Sequence, residues 1–197
     1  MCIIIYKKEN AELPSFETLK ECFFNNPDGA GVCYVQNNRI KLEKGFFNFK
    51  SFYKRLLEIQ NNNHMLIHMR IATGGLCDKR NCHPFKINNG LYFAHNGVLD
   101  EALAKPNQVF SDTYTFNEVL KGFNLKLKEL ESKYFKHLFL EKIKNNNKIV
   151  FFGKNKSIIL NEKYGFWINN VWFSNESFKV SRYFIKNNFN DYVRTKY

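Results

Sequence analysis

The sequence opens on Met1-Cys-Ile-Ile-Ile-Tyr6, in which a cysteine at position 2 directly precedes an apolar, β-branched run. This run predicts a buried β-strand, which is an unusual start because chain ends generally fray. If Met1 is removed, which the small side chain of Cys2 permits, the thiol and a free α-amino group belong to one residue. An amine of pKa about 7.7–8.0 can accept the proton of a thiol of pKa about 8.5 without a histidine partner. The alternative interpretation is that Cys2 is a small apolar residue in front of a strand.

Beyond this strand, the hydrophobic pattern predicts groups of helices between groups of strands. Helical periodicity follows Ser15 and Ser111, and it also covers residues 49–57. A longer basic helix is indicated by Leu127, Leu130, Tyr134 and Leu138. Further strands are predicted at 30–35, 39–42, 64–70, 91–95, 149–152, 157–160 and 166–173. Because hairpin connections are short, we expect layered α/β packing with mostly antiparallel sheets, in either two or four layers.

Length and composition indicate a single globular domain over residues 1–197, since 44% of the residues are hydrophobic and 24% are charged. The net charge of +12 is concentrated: residues 1–120 hold 14 basic and 12 acidic side chains, whereas residues 121–197 hold 16 and 6. This basic C-terminal part is a candidate surface for nucleic acid or a partner protein, and the alternative is an ordinary solvated surface. Its cations include Lys121, Lys126, Lys128, Lys133, Lys136, Lys142, Lys144 and Lys148, followed by Arg182, Lys186, Arg194 and Lys196 in a tail that ends at Tyr197.

Several protein classes are disfavoured by the sequence. No apolar run approaches the roughly 20 residues that a membrane helix needs, and the first apolar stretch is short for a signal peptide, so we expect a cytoplasmic protein. The five cysteines are odd in number and are expected to be reduced. Cys77, Cys82 and His83 do not complete a zinc-ligand pattern, so we expect no metal.

Five short segments follow Cys2 in an order that carries more information than any one of them. They are Asn26-Pro-Asp-Gly-Ala-Gly31, His68-Met-Arg-Ile-Ala-Thr73, Asn81-Cys-His-Pro-Phe85, Ala94-His-Asn-Gly97 and Ser111-Asp-Thr113. Together they resemble the class II glutamine amidotransferases, whose glutaminase domains use an N-terminal nucleophile (Ntn). The resemblance covers about residues 2–122, and Trp172-Phe-Ser-Asn-Glu-Ser-Phe178 loosely resembles a late segment of small stand-alone relatives. It implies the four-layer αββα Ntn-hydrolase sandwich and no cofactor.

The resemblance also implies a role for each matched residue in the release of ammonia from glutamine. Cys2 is the nucleophile, and the Asn96 side chain and the Gly97 backbone N–H form the oxyanion hole. Arg70 would hold the α-carboxylate of glutamine with two parallel hydrogen bonds, and Asp112 would accept from its α-ammonium group. Two further matched residues are expected to shape the substrate site, namely Thr73 and His83.

Two departures from the family pattern keep other functions open. Ile3 stands where many relatives have glycine after the nucleophile, and Tyr114 stands where they often have glutamate. These changes leave room for an Ntn hydrolase of a different amide. A catalytically inert Ntn-fold binding module with a basic surface is the second alternative. Since 197 residues hold no synthase domain beside the glutaminase domain, ammonia would pass to a separate acceptor protein or to solvent.

Overall fold

The computed structural model describes residues 1–61, 64–123, 125–144 and 146–179. The predicted basic tail from Arg182 to Tyr197 lies outside the described residues. In chain order, the strands are β1 (Ile3–Lys7), β2 (Ala30–Gln36), β3 (Arg39–Phe46), β4 (Met65–Met69), β5 (Phe85–Asn88), β6 (Leu91–Asn96), β7 (Lys148–Gly153), β8 (Ser157–Leu160), β9 (Phe166–Ile168) and β10 (Val171–Phe173). The α-helices are α1 (Phe16–Phe24), α2 (Phe49–Ile59), α3 (Asp112–Gly122), α4 (Leu127–Leu130) and α5 (Lys133–Ile143).

The strands form two antiparallel sheets. The first sheet has the order β3-β2-β4-β1-β10-β9, and the second has the order β5-β6-β7-β8. Every pairing between the described strands is antiparallel. The predicted N-terminal strand therefore lies near the middle of the first sheet, between β4 and β10, and both of its edges are hydrogen-bonded.

Alternation along β1 shows how the two sheets and the helices stack into four layers. Ile3 and Ile5 pack with apolar side chains of α1 and α2, such as Phe52. Ile4 and Tyr6 point to the opposite face, where they pack against apolar side chains of the second sheet. A third cluster fills the space between the second sheet and helices α3 to α5. The four-layer αββα sandwich with antiparallel sheets is thus confirmed.

Helix starts agree well with the capping signals in the sequence. The Ser15 side chain accepts a hydrogen bond from the backbone N–H of Thr18, and α1 begins at the next residue. Ser111 caps α3 in the same way, because its hydroxyl accepts from the N–H of Tyr114 at 3.1 Å. This cap places Asp112 in the first turn of α3, where the helix dipole favours a carboxylate.

Two predicted elements are corrected by the structure. The single basic helix is wrong: α4 ends at Leu130, and α5 begins anew after Ser132. Tyr134 and Leu138 are consequently 87% and 56% exposed, and the α5 side chains Phe135 and Phe139 pack against the core instead. The run at 166–173 is a hairpin of β9 and β10, because Asn169 and Asn170 adopt positive φ angles in a tight turn. The sequence pattern also missed strand β5.

Among the helices that the structure describes, none combines the length and the apolar character needed to cross a bilayer.

Candidate functional site

Cys2 lies at the start of β1, beside the end of β4. Ile3 pairs with Met69 in the ladder, so that Cys2 stands opposite the residues that follow β4. By alternation its side chain shares the face of Ile4, which is the face toward the second sheet. The Cys2 Sγ atom is 3.4 Å from both the backbone nitrogen and the carbonyl oxygen of Ile71. The thiol is thus held against the backbone of one residue, between its N–H and its carbonyl oxygen.

Two opposing effects act on the pKa of the Cys2 thiol. Burial raises this pKa, since a thiolate is poorly solvated there. The hydrogen bond from the backbone of Ile71 and the positive charge of Arg70 lower it. Burial is the larger effect, so the net pKa is above the ordinary value.

Arg70 is buried directly after β4, and the following loop folds around its guanidinium group. Its Nη1 donates to the carbonyl of Leu76 at 3.0 Å, and its Nη2 donates to the carbonyl of Gly74 at 2.7 Å. The start of the same loop is held by Asp28, whose carboxylate accepts from the N–H of Ala72 at 2.8 Å. Arg70 uses two of its five N–H donors in these contacts, which leaves three for other acceptors.

Asn96 ends β6, and it reaches the space between the sheets from the opposite side. It shares a strand face with Ala94, which packs in the inter-sheet cluster. Its Nδ2 donates to Ser174 Oγ at 2.8 Å, and the same hydroxyl oxygen accepts from the N–H of Ile4 at 2.8 Å. The side chain of Asn96 therefore lies against the beginning of β1. Its Oδ1 is buried and has no hydrogen-bond partner among the described residues.

Gly97 follows Asn96 with a φ of +143°, a conformation that side chains rarely adopt. A Cβ atom at this position would lie 2.1 Å from Asn147 Oδ1. Glycine is therefore required here both by the backbone conformation and by the packing of Asn147.

Two buried histidines, His68 and His83, hold the backbone of a third, His95, which leads into Asn96. The Nε2 of His68 lies 3.1 Å from the carbonyl oxygen of His95, so this nitrogen must donate. The Nδ1 of His83 accepts from the backbone N–H of His95 at 3.4 Å, and the rings of His68 and His83 lie 4.0 Å apart. Burial lowers the pKa of His68 to about 3 and that of His83 well below its ordinary value. Both rings are therefore neutral at physiological pH.

The imidazole ring of His95 points the other way, toward α3. Asn147 donates from its Nδ2 to the carbonyl of Ile143, so its Oδ1 faces His95 Nε2 at 2.8 Å as an acceptor. A neutral His95 must then carry its proton on Nε2, and its Nδ1 is an acceptor 2.8 Å from the Thr113 hydroxyl. The one hydrogen of this hydroxyl is also within reach of Asp112 Oδ1, at 3.1 Å. Burial lowers the pKa of His95, and the charge of Asp112 acts against this effect.

Asp112 connects the loop after Gly97 to the start of α3. Its Oδ2 accepts from the N–H of Leu99 at 2.7 Å, and its Oδ1 accepts from the N–H of Thr113 at 2.6 Å. A carboxylate offers about four acceptor positions, so it has capacity for a further donor. The side chain thereby positions the backbone on the C-terminal side of the candidate oxyanion hole.

No protein-family model and no curated protein sequence matches the chain. Solved structures do match. The chain superposes on glutamine phosphoribosylpyrophosphate amidotransferase from B. subtilis, complexed with ADP and GMP, with a TM-score of 0.57 and 18% identity. A second match, described as the allosteric regulatory enzyme of purine biosynthesis, has a TM-score of 0.53 and 16% identity.

The chain has the fold of the Ntn glutamine amidotransferases. Each match covers 88% of this chain but only 41% of the matched chain, so the protein spans about two fifths of the length of these relatives. The fold expected from Cys2 and the five motifs is thereby confirmed.

Within the amidotransferase fold, the predicted site residues fall into three sets. Cys2, Arg70 and Asn96 converge on the space between the sheets at the start of β1. Gly97 and Asp112 lie on the segment that continues from Asn96. The remaining two differ in exposure, since Thr73 is exposed on the loop after β4 and His83 is buried against His68.

Three residues whose hydrogen bonds support the site were assigned no role in the sequence analysis. Asn81 is fully buried; its Nδ2 donates to the carbonyls of Leu76 and Val109, and its Oδ1 accepts from the N–H of Ser111. Ser174 and Asn175 follow β10 and contact residues 2–4. All three residues lie inside segments that the resemblance matched, which was the signal available from the sequence, but most of their partners are distant in sequence.

Away from Cys2, the described surfaces of the amidotransferase fold present few groups that could take part in a reaction. An apolar pocket of about 500 Å³ lies between α3 and α5, on the helix side of the second sheet and thus away from Cys2. The described residues contain no cluster of three or more side chains that could hold a metal ion. Of the basic C-terminal lysines, Lys121 pairs with Glu118, Lys144 pairs with Asp100, and Lys148 is buried.

Proposed function

We propose that this protein is an Ntn-type glutamine amidohydrolase that releases ammonia from glutamine through a thioester on Cys2. The observation that carries the proposal is the convergence of the Cys2 thiol, the Arg70 guanidinium group and the Asn96 amide at one end of the inter-sheet layer. A nucleophile, a cation for a carboxylate and an amide for an oxyanion are the groups that glutamine hydrolysis needs.

The first half of the reaction forms the thioester. After removal of Met1, the α-amine of Cys2 accepts the thiol proton, and Sγ attacks the side-chain amide carbon of glutamine. The tetrahedral oxyanion accepts hydrogen bonds from the Asn96 side chain and the Gly97 N–H. The protonated α-amine then gives its proton to the departing nitrogen, so that the C–N bond breaks and ammonia leaves.

The second half hydrolyses the thioester. The α-amine accepts a proton from water, and the resulting hydroxide attacks the thioester carbon through a second oxyanion held by the same donors. The C–S bond breaks, and the proton returns to the thiol. The balance is one glutamine and one water converted to glutamate and ammonia.

Recognition of the substrate is assigned to two charged side chains. The three N–H donors that Arg70 does not use for its loop match the planar α-carboxylate of glutamine. The remaining acceptor capacity of Asp112 suits the α-ammonium group. The ammonia acceptor is a separate protein or solvent, and we place the activity in the cytoplasm.

The experiment combines three measurements on purified protein. Intact mass reports whether Met1 is removed, enzymatic assay reports glutamate release from glutamine, and a glutamine-analogue diazoketone reports covalent capture of Cys2. Cys2→Ala should abolish release and capture. Cys77→Ala is the matched control, because Cys77 is the exposed thiol on the loop after β4, and it should retain both. A processed wild-type protein that neither releases glutamate nor captures the diazoketone would overturn the proposal.

A further inference from the structure

Ser174 reaches the site from the segment after β10, and it touches both sheets. Its backbone N–H donates to the carbonyl of Ile4 at 2.9 Å, and its hydroxyl oxygen accepts from the N–H of Ile4 at 2.8 Å. The same hydroxyl lies 2.8 Å from Nδ2 of Asn96. Ser174 is completely buried. One hydroxyl therefore joins the strand that begins beside Cys2 to the side chain assigned to the oxyanion.

When Asn96 Nδ2 is the donor, the contact between Asn96 and Ser174 leaves one hydrogen-bond donor and one acceptor unpaired. The Ser174 oxygen then accepts two hydrogen bonds, and its own hydrogen has no acceptor among the described residues. Asn96 Oδ1 is left buried without a partner in the same part of the chain. Unpaired buried polar groups cost free energy. Either a ligand that pairs with these groups or a rotation of the amide would lower this cost.

A 180° turn of the Asn96 amide about its terminal bond gives the hydrogen of the Ser174 hydroxyl an acceptor. Oδ1 then faces Ser174 and accepts from its O–H, while the hydroxyl oxygen still accepts from the N–H of Ile4. The amide NH₂ then takes the buried place in which Oδ1 had no hydrogen-bond partner among the described residues. In the proposed reaction this NH₂ group is the donor to the oxyanion.

Asn175, the next residue, cannot turn in this way. Its Oδ1 accepts from the N–H of Ser177 at 2.9 Å, so its Nδ2 must be the group that donates to the carbonyl of Cys2 at 2.7 Å. The backbone of Cys2 is thus held by a fixed amide. The neighbouring hydroxyl, which can both donate and accept, holds the amide of Asn96.

We propose that Ser174 is the positioning residue of the oxyanion donor: its hydroxyl donates to Asn96 Oδ1 and so directs Nδ2 of Asn96 toward the carbonyl that Cys2 attacks. This inference rests on the proposed function and adds to it a residue about 170 positions away from the nucleophile. In this assignment Ser174 touches neither the thiol nor the substrate, and it influences the reaction by orienting Asn96. It should therefore affect the rate of the chemical steps more than the binding of glutamine.

The kinetic test compares Ser174→Ala, Ser174→Thr and Ser177→Ala. Ser174→Ala should lower kcat for glutamate release by about 10- to 100-fold with KM within about twofold, because an undirected amide is a weaker oxyanion donor. Ser174→Thr keeps the hydroxyl and should recover most of kcat. Ser177→Ala is the control on the same segment, since Ser177 uses its backbone in the contacts with Asn25 and Asn175, and it should behave as wild type. Wild-type kcat in a folded Ser174→Ala variant would overturn the inference and leave the proposed function intact.

A second measurement needs neither a variant nor activity. A neutron structure of the deuterated resting protein locates the deuterium atoms of Ser174 and Asn96. A deuterium between Ser174 Oγ and Asn96 Oδ1 is expected. An Asn96 amide that directs its deuterium atoms at Ser174 Oγ would overturn the inference, whether or not the protein hydrolyses glutamine.

Discussion

The thiol of Cys2 faces the backbone of a single residue, Ile71, with its Sγ 3.4 Å from the nitrogen and 3.4 Å from the carbonyl oxygen. The protonated thiol can donate to the carbonyl, and the thiolate can accept from the N–H. Both protonation states thus have a partner without movement of the side chain. The two peptide groups on either side of the Ile71 Cα therefore hold Sγ in place while the thiol proton moves.

We first predict that activity requires a free amine on Cys2. Insertion of a lysine between Met1 and Cys2 blocks removal of the initiator residue and converts the α-amine into an amide, which is not a base. Glutamate release should fall by at least about 100-fold, the scale of general-base catalysis. Circular dichroism should show an unchanged fold. An extended protein of confirmed mass with full activity would contradict the assigned role of the amine.

Asn96→Ala should lower kcat by about 10²- to 10³-fold and leave KM nearly unchanged, because an oxyanion donor acts mainly in the transition state. Steady-state kinetics of glutamate release provide the measurement. Asn88→Ala is the control, since Asn88 donates to the carbonyl of Leu125 at the far edge of the second sheet. A loss of kcat that is equal in both variants would indicate general destabilisation instead.

Arg70→Lys should lower kcat/KM for glutamine by about 100-fold, because an ammonium group cannot make the two parallel bonds to a carboxylate or hold both loop carbonyls. Arg80→Lys should change kcat/KM by less than about twofold, since Arg80 is an exposed residue paired with Asp78. Hydrolysis of an amide without an α-carboxylate separates the substrate alternatives. Such an amide, if preferred by the wild type and unaffected by Arg70→Lys, would replace glutamine as the substrate.

Gly31→Ala and Gly122→Ala should have opposite effects on the free energy of unfolding. A Cβ at Gly31 would lie 2.3 Å from the carbonyl oxygen of His83, so backbone must shift, and we expect destabilisation of about 1–3 kcal/mol. A Cβ at Gly122 meets no atom within 4 Å, and alanine should stabilise the end of α3 by up to about 1 kcal/mol. Urea unfolding measures both. Equal effects would contradict the close approach at Gly31.

Acid should destabilise the protein through its buried histidines. The folded-state pKa of His68 is lowered to about 3 by burial, below the ordinary value near 6.5. As the pH falls below about 6.5, the unfolded chain therefore binds this proton and the folded chain does not, so stability decreases down to about pH 3 by about 1.4 kcal/mol per pH unit. Urea unfolding between pH 6 and 4 should show that the free energy of unfolding depends less steeply on pH in His68→Gln, by about this amount. An equal pH dependence in the two proteins would contradict the low pKa of His68.

Local patterns in the sequence predicted most helices and strands, because capping residues such as Ser15 and Ser111 act on their neighbours. The turn at Asn169 and strand β5 were not predicted. The number of layers was open, since it depends on which face of β1 meets a second sheet. The basic helix was predicted wrongly because spacing alone does not show that Ser132 starts a new helix. The resemblance supplied the four-layer fold that periodicity left undecided.

The candidate site was predictable only where a residue carries its own chemistry. Cys2, Arg70 and Asn96 were recognised by type and motif, and the structure brings them together. The supporting residues were not predicted, because a buried asparagine or serine has no signature apart from its partners. His68 and His83 show the same limit: their contacts are to the backbone of His95, which no side-chain pattern records.

The hydrogen bonds that Ser174 and Asn175 form with residues 2–4 join positions that are 170 and 173 residues apart in the sequence. During synthesis, β1 is made well before its neighbour β10. The hydrogen bonds between residues 2–4 and the segment after β10 can therefore form only after β10 has been made. The pocket beside Cys2 is completed late in the synthesis of the described chain.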